Sequence, residues 1–100
     1  MKRRDPGKAR GSGEPPPEVD LHRLSRAQAE RTLARELHSA RVRGDRQLLV
    51  ITGRGFGNPQ QQPVLRKHIE GWLRGPEGHR YGVVSFQVAS RGGALRLRLG

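Results

Sequence analysis

The chain has 100 residues, no cysteine and 32% hydrophobic residues, enough for one small domain but for no disulfide framework, thiolate nucleophile or cysteine-bound zinc. Its longest apolar run, Leu48-Leu49-Val50-Ile51, is too short to cross a membrane, and the basic Met1-Lys2-Arg3-Arg4 leads into polar, Gly/Pro-rich sequence rather than the apolar stretch of a signal peptide. Lys and Arg total 20 against 9 Asp and Glu, a formal charge of +11, which attracts polyanions, nucleic acid first among them.

Residues 1–18 carry five basic and three acidic side chains, a net of +2, so +9 belongs to residues 19–100. With Gly7, Gly11, Gly13 and Pro15-Pro16-Pro17 and almost no apolar content, 1–18 cannot offset the entropy of ordering and reads as a disordered Gly/Pro-rich basic tail. The domain is expected over 19–100, long enough for one modest core. Arg outnumbers Lys 17 to 3, so genome base composition offers a blander account of part of the charge.

Val19-Asp20-Leu21-His22-Arg23-Leu24 alternates apolar and polar, a strand pattern. Ser25 and Gln28 then have the spacing of a capping box. Ala29, Leu33, Leu37 and Ala40 form one helical stripe, with Arg31 and Arg35 opposite, and Gly44 suits the left-handed residue after the helix. Gln47 to Thr52 is a second strand, whose consecutive apolar residues predict cover on both faces. A Gly- and Gln-rich loop follows, Thr52 to Pro63. Pro63 fits the first turn of a second helix, with Leu65, Ile69, Trp72 and Leu73 as its buried stripe and Gly75-Pro76 as its stop. Val83–Val88 and Ala94–Leu99 are strands joined by Ala89-Ser90-Arg91-Gly92-Gly93, a hairpin connection. In the last strand Arg96 and Arg98 alternate with leucines and belong on the wet side. The order β-α-β-α-β-β predicts a two-layer α/β sandwich: a mixed sheet, two helices on one face, and an antiparallel C-terminal hairpin.

Asp20 and His22, two apart on a strand, leave one face while Val19 and Leu21 leave the other. A carboxylate beside an imidazole can share a proton, ligate a metal or orient a water. As a solvated strand-end pair it would do none of these. Gly53-Arg54-Gly55 follows strand two, where ligands of open α/β sheets collect. Its glycines let backbone amides approach a phosphate, and Arg54 adds a bidentate contact. No GxxxxGK[ST] or GxGxxG pattern is present, and an ordinary turn-forming loop is the competing reading. Phe56 either stacks on a base or caps the core. Trp72 reads as core. His38, His68 and His79 lack metal-ligand spacing.

These pieces in this order resemble the Smr (small MutS-related) domain family over roughly 19–100. Val19-Asp20-Leu21-His22 resembles the family's LDLHG signature, and Thr52-Gly53-Arg54-Gly55 its HGxG or TGxG signature. Pro63-Val64-Leu65-Arg66 with Trp72-Leu73 is similar to the PVL…WL segment of stand-alone bacterial members. Gly92-Gly93-Ala94 is similar to the GGxGA turn, one residue shorter. The resemblance implies the same sandwich, nucleic-acid binding, and in some members endonucleolytic cleavage of DNA or RNA. Asp20 and His22 match the positions linked to cleavage. Two positions depart from the pattern: Arg23 stands where a Gly usually follows LDLH, and Thr52 where a His often opens HGxG. A member needing that second imidazole for scission would bind without cutting.

The leading expectation is therefore a nucleic-acid-binding domain with endonuclease activity. Asp20 and His22 would be catalytic, and Thr52, Gly53, Arg54, Gly55, Arg23 and Arg91 would hold nucleic acid. A divalent metal ion is a candidate cofactor, because a carboxylate and an imidazole can contribute to such a site. The alternatives are a non-catalytic module docking on nucleic acid, ribosomes or repair complexes, and a protein-interaction domain whose charge is incidental. A cytoplasmic location without membrane contact is expected. No base-reading motif is present, which favours recognition of backbone and shape.

Overall fold

The computed structural model describes residues 15–53 and 64–100. In chain order the elements are β1 (Glu18–Asp20), α1 (Arg26–Arg43), β2 (Gln47–Ile51), α2 (Val64–Arg74), α3 (Pro76–Arg80), β3 (Val83–Ala89) and β4 (Ala94–Leu99), with a 3-10 turn, Ser90–Gly92, between the last two. The expected mixed α/β sandwich is present, with three helices rather than two among the described residues.

Helix α1 starts as its sequence dictates. The Ser25 hydroxyl accepts from the Gln28 N–H at 3.1 Å, and the Gln28 side chain accepts from the Ser25 N–H at 3.0 Å. Such a cap stabilises a helix by about 1 kcal/mol. The helix ends at Gly44, whose φ of 80° lies in the left-handed region. Ala29, Leu33, Leu37 and Ala40 are fully buried. They join Ile69 and Leu73 of α2 and the inward side chains of all four strands in one core. Gly75-Pro76 ends α2 as expected, but Pro76 then opens the five-residue α3, since proline suits the first helical turn. Trp72 lies at the margin of the core rather than within it, half-buried and stacked on Tyr81 with ring centroids 6.1 Å apart.

The sheet order is β1-β2-β4-β3. β1 and β2 are parallel, and β4 runs antiparallel to both β2 and β3. The hairpin thus folds its second strand into the middle. β4 suits that place, because Leu95, Leu97 and Leu99 are buried against the helix layer and both its backbone edges find partners. Arg96 and Arg98 point to the open face, as their alternation predicts.

Two expectations about strands are corrected. Strand one stops at Asp20 instead of Leu24, because the Leu24 N–H turns back to the Leu21 carbonyl at 3.0 Å and closes a tight turn. The cover expected on both faces of β2 is found on one only. Leu48 and Val50 are fully buried while Leu49 and Ile51 are half-exposed, since the core unites both long helices with a single face of the sheet. At the far edge β3 carries a register shift between Val83 and Ser85 and exposes Val84 and Val88.

The α2–α3 junction depends on one glycine. A Cβ at Gly78 would lie 1.9 Å from the Leu73 carbonyl oxygen, whereas a Cβ at Gly71 would meet nothing within 4 Å. Gly78→Ala is therefore expected to cost stability by about 2 kcal/mol or more. Gly71→Ala, within α2, should raise it by about 0.5–1 kcal/mol. Urea melts of both variants beside the wild type check the pair, and equal effects would contradict this packing.

Candidate nucleic-acid interface

The carboxyl ends of the parallel strands β1 and β2 form one rim of the sheet, with Asp20 opposite Ile51 and Ile51 opposite Ala94. The Leu21 N–H donates to the Ile51 carbonyl at 2.8 Å, extending the ladder one step past β1. The chain then turns through His22 and Arg23, the two central residues of the turn closed by Leu24. Arg23 takes its place in this turn without left-handed backbone, for it is absent from the positive-φ residues.

Asp20 and His22 do share a face, but for a reason other than strand alternation. One carboxylate oxygen, Asp20 Oδ1, accepts from the His22 backbone N–H at 3.0 Å and lies 2.6 Å from His22 Nδ1. This Asx-type turn folds the imidazole back onto the acid. The other ring nitrogen, Nε2, accepts from Arg23 Nε–H at 3.0 Å. A guanidinium can only donate, so in the neutral ring Nε2 offers its lone pair and the proton sits on Nδ1, toward Asp20. The His22 side chain is 42% exposed and that of Asp20 54%, so both are open to a ligand. The His22 N–H, and then its ring, hold the Asp20 carboxyl below its ordinary value of 3.8.

Thr52 and Gly53 stand beside this pair in a supporting capacity. Both backbone N–H groups donate to the Gly93 carbonyl at 2.9 Å, so neither is free for a phosphate. Thr52 is only 4% exposed, and its hydroxyl also faces the Gly93 carbonyl. Gly53 has φ +81°, and a Cβ there would lie 3.2 Å from His22 Cβ. The left-handed backbone favours glycine, and the close approach of His22 adds to that preference. Arg54, Gly55 and Phe56 lie outside the described residues.

Arg91 is exposed in the turn that supplies Gly93. Ser90 and Arg91 both have positive φ, 52° and 55°, a strained state for residues other than glycine. Arg66, named in the sequence only as part of the PVL-like segment, steadies this turn. Arg66 Nη1 donates to the Gly92 carbonyl at 3.0 Å while its Nε donates to Glu70 at 3.0 Å. The Arg66–Glu70 spacing of four was readable as a helical pair, but its reach to a turn 26 residues away was not. Among the described residues, no group of three His, Cys, Asp or Glu side chains is placed to hold a metal ion. None of the described helices is long and apolar enough to cross a membrane.

Residues 19–94 match the family model described as the Smr domain. The chain belongs to the Smr domain family. The crystal structure of the Smr domain of Thermus thermophilus MutS2 superposes with a TM-score of 0.67 at 31% identity, over 84% of this chain and 98% of that one. No curated protein matches. Smr domains generally bind nucleic acid, and some members are endonucleases. Within this Smr domain the LDLH-like segment supplies β1 and its turn, and the TGxG-like segment begins at the end of β2.

The lowered Asp20 carboxyl has a consequence for stability. Its contribution is fully present above the unfolded value of 3.8 and is lost as pH falls through the lower folded value. Asp20→Asn should therefore unfold more readily than wild type at neutral pH, with the difference shrinking below about pH 4. The effect will be small, because the pair is solvated. Thermal melts across that range check it, and a difference that widened in acid would contradict the assignment.

Proposed function

We infer that this Smr domain binds nucleic acid along the β1–β2 rim and that Asp20 and His22 are its catalytic couple for phosphodiester cleavage. The observation that carries the reading is the exposed imidazole aligned by Asp20 at 2.6 Å, at the strand ends where α/β sheets take their ligands. The charge of +9 on 19–100 supplies attraction along the backbone, and Arg23 and Arg91 are exposed cations for phosphate oxygens. Thr52 and Gly53 act from behind, fixing the wall on which His22 rests. In the cleaving step, His22 Nε2 takes a proton from the water that attacks phosphorus. A P–O bond breaks, and the leaving oxygen takes a proton from solvent. Asp20 holds the Nδ1 proton in place and faces the positive charge that develops on the ring. A divalent ion would find one carboxylate and one imidazole here among the described residues, too few to define a site.

A second reading is supported by the resemblance: where the family signature often opens with a histidine, this chain has the buried Thr52. With a single imidazole at the rim, the domain would bind nucleic acid, a ribosome or a repair complex without cutting. Residues 19–100 form the binding unit in either case, with the basic residues of 1–18 adding electrostatic reach.

Gel shifts and cleavage assays with labelled single- and double-stranded DNA, structured RNA and ribosomes, with and without magnesium or manganese, separate the readings. Binding is expected to weaken with salt, with a log–log slope of about −0.9 for each duplex phosphate contacted. His22→Ala should abolish cleavage and leave binding within a few-fold. Cutting that survives this substitution would remove His22 from the chemistry, and wild-type binding without cutting would favour the second reading. No binding even at low salt would overturn both.

A further inference from the structure

Beside the imidazole at the end of β1, Arg23 Nε donates to His22 Nε2 at 3.0 Å. We propose that Arg23 is a positioning residue that stoppers His22 Nε2 in the resting protein and releases it when a nucleic-acid phosphodiester takes the guanidinium. The proposal rests on the reading that the rim receives nucleic acid.

The geometry assigns each ring nitrogen a partner. Nδ1 faces Asp20 Oδ1 at 2.6 Å, and Nε2 receives Arg23. The nitrogen that would accept a proton from water is thus the occupied one. Backbone and side chain differ in their freedom to move. Leu21 is held by the Ile51 carbonyl and Leu24 by the Leu21 carbonyl, while Arg23 is exposed. The guanidinium can therefore swing without disturbing the turn. The charged groups at the ring among the described residues are Asp20 and Arg23, both from its own segment. The neighbouring end of β2 presents Gly53, which carries no charge.

The exchange runs in a definite direction. A neutral imidazole offers a guanidinium one lone pair. A phosphodiester offers two oxygens that share a negative charge at the spacing of its fork, so the guanidinium trades one bond to a neutral ring for a bidentate bond between opposite charges. A phosphate arriving at the rim therefore draws Arg23 away and exposes Nε2 beside the bond to be cut. No covalent bond changes in this step. A donor–acceptor pair is exchanged, and His22 gains its free lone pair only in the presence of the anion.

Diethyl pyrocarbonate attacks unprotonated, accessible imidazole nitrogens, and peptide mapping reads each histidine separately, with exposed His38 as the internal reference. In the free wild type His22 is expected to react several-fold more slowly than His38. Arg23→Ala should remove the difference, and Arg23→Lys, which keeps a donor on the turn, should restore part of the protection. The nitrogen-15 resonance of His22 Nε2 supplies a spectroscopic signature. It should move in Arg23→Ala, and a short single-stranded oligonucleotide should move it in wild type. Melting curves should coincide for all three proteins, since Arg23 is exposed and its backbone needs no positive φ.

Equal reactivity of His22 and His38 in wild type, or no change in Arg23→Ala, overturns the stopper. An oligonucleotide that binds but leaves the Nε2 resonance unmoved overturns the release. Both stopper readouts come from the free protein, so they hold or fail independently of whether nucleic acid binds. Failure of every oligonucleotide to bind removes the function reading and the release together, while leaving the stopper standing.

Discussion

One carbonyl ties the functional rim together. Gly93 O receives the N–H groups of both Thr52 and Gly53, fastening the end of β2 to the turn that feeds β4. The same stretch of chain lies beside His22, where a Cβ on Gly53 would come within 3.2 Å of His22 Cβ. If that carbonyl moved, two backbone donors would lose their acceptor, and at buried Thr52 the loss would cost about 1–3 kcal/mol. Arg66 acts one residue earlier, holding the Gly92 carbonyl from α2. Two left-handed residues, Ser90 and Arg91, sit in the span so anchored. Strain of this kind persists only where the surroundings overdetermine it, and here anchors on both sheet and helix do so.

The rim also illustrates how donors and acceptors limit chemistry. Asp20 accepts twice with a single oxygen, once from backbone and once from the ring. That arrangement orients the imidazole without burying it, unlike the enclosed carboxylates of many acid–base couples. A solvated pair of this kind gains little energy from its charges. Its value to function is directional: it selects the ring tautomer and the edge that faces the ligand.

What could be read from the sequence was local. Ser25 and Gln28 announced the start of α1, because a capping box spans only four residues. The stripe of Ala29, Leu33, Leu37 and Ala40 and the alternation of Arg96 and Arg98 likewise needed only the period of one element. The end of β1 was illegible, since the turn after it contains neither glycine nor proline and is closed by backbone bonds. The run from Leu48 to Ile51 concealed its own asymmetry, because half-exposed Leu49 and Ile51 are as apolar as buried Leu48 and Val50. At the site, Asp20 and His22 could be paired from spacing, although an Asx-type turn brings them together. Resemblance to the Smr domain drew in Thr52 and Gly53. The reach of Arg66 to Gly92 and the grip of Arg23 on His22 depend on where side chains come to rest, and no periodicity encodes that.

The outer strand of the sheet bears on how the molecule behaves in bulk. Among the described residues β3, a seven-residue strand, has a strand partner on one side only and exposes Val84 and Val88, the combination from which strands add to strands of other molecules. Its register shift disrupts the template, and a net charge of +11 keeps copies apart. Mutual repulsion of this sort fades once salt shortens the Debye length to about 3 Å near 1 M. Colloidal stability of the protein is thus tied to the same cationic excess that draws polyanions to it, and neutralising that excess in concentrated solution invites edge-to-edge aggregation.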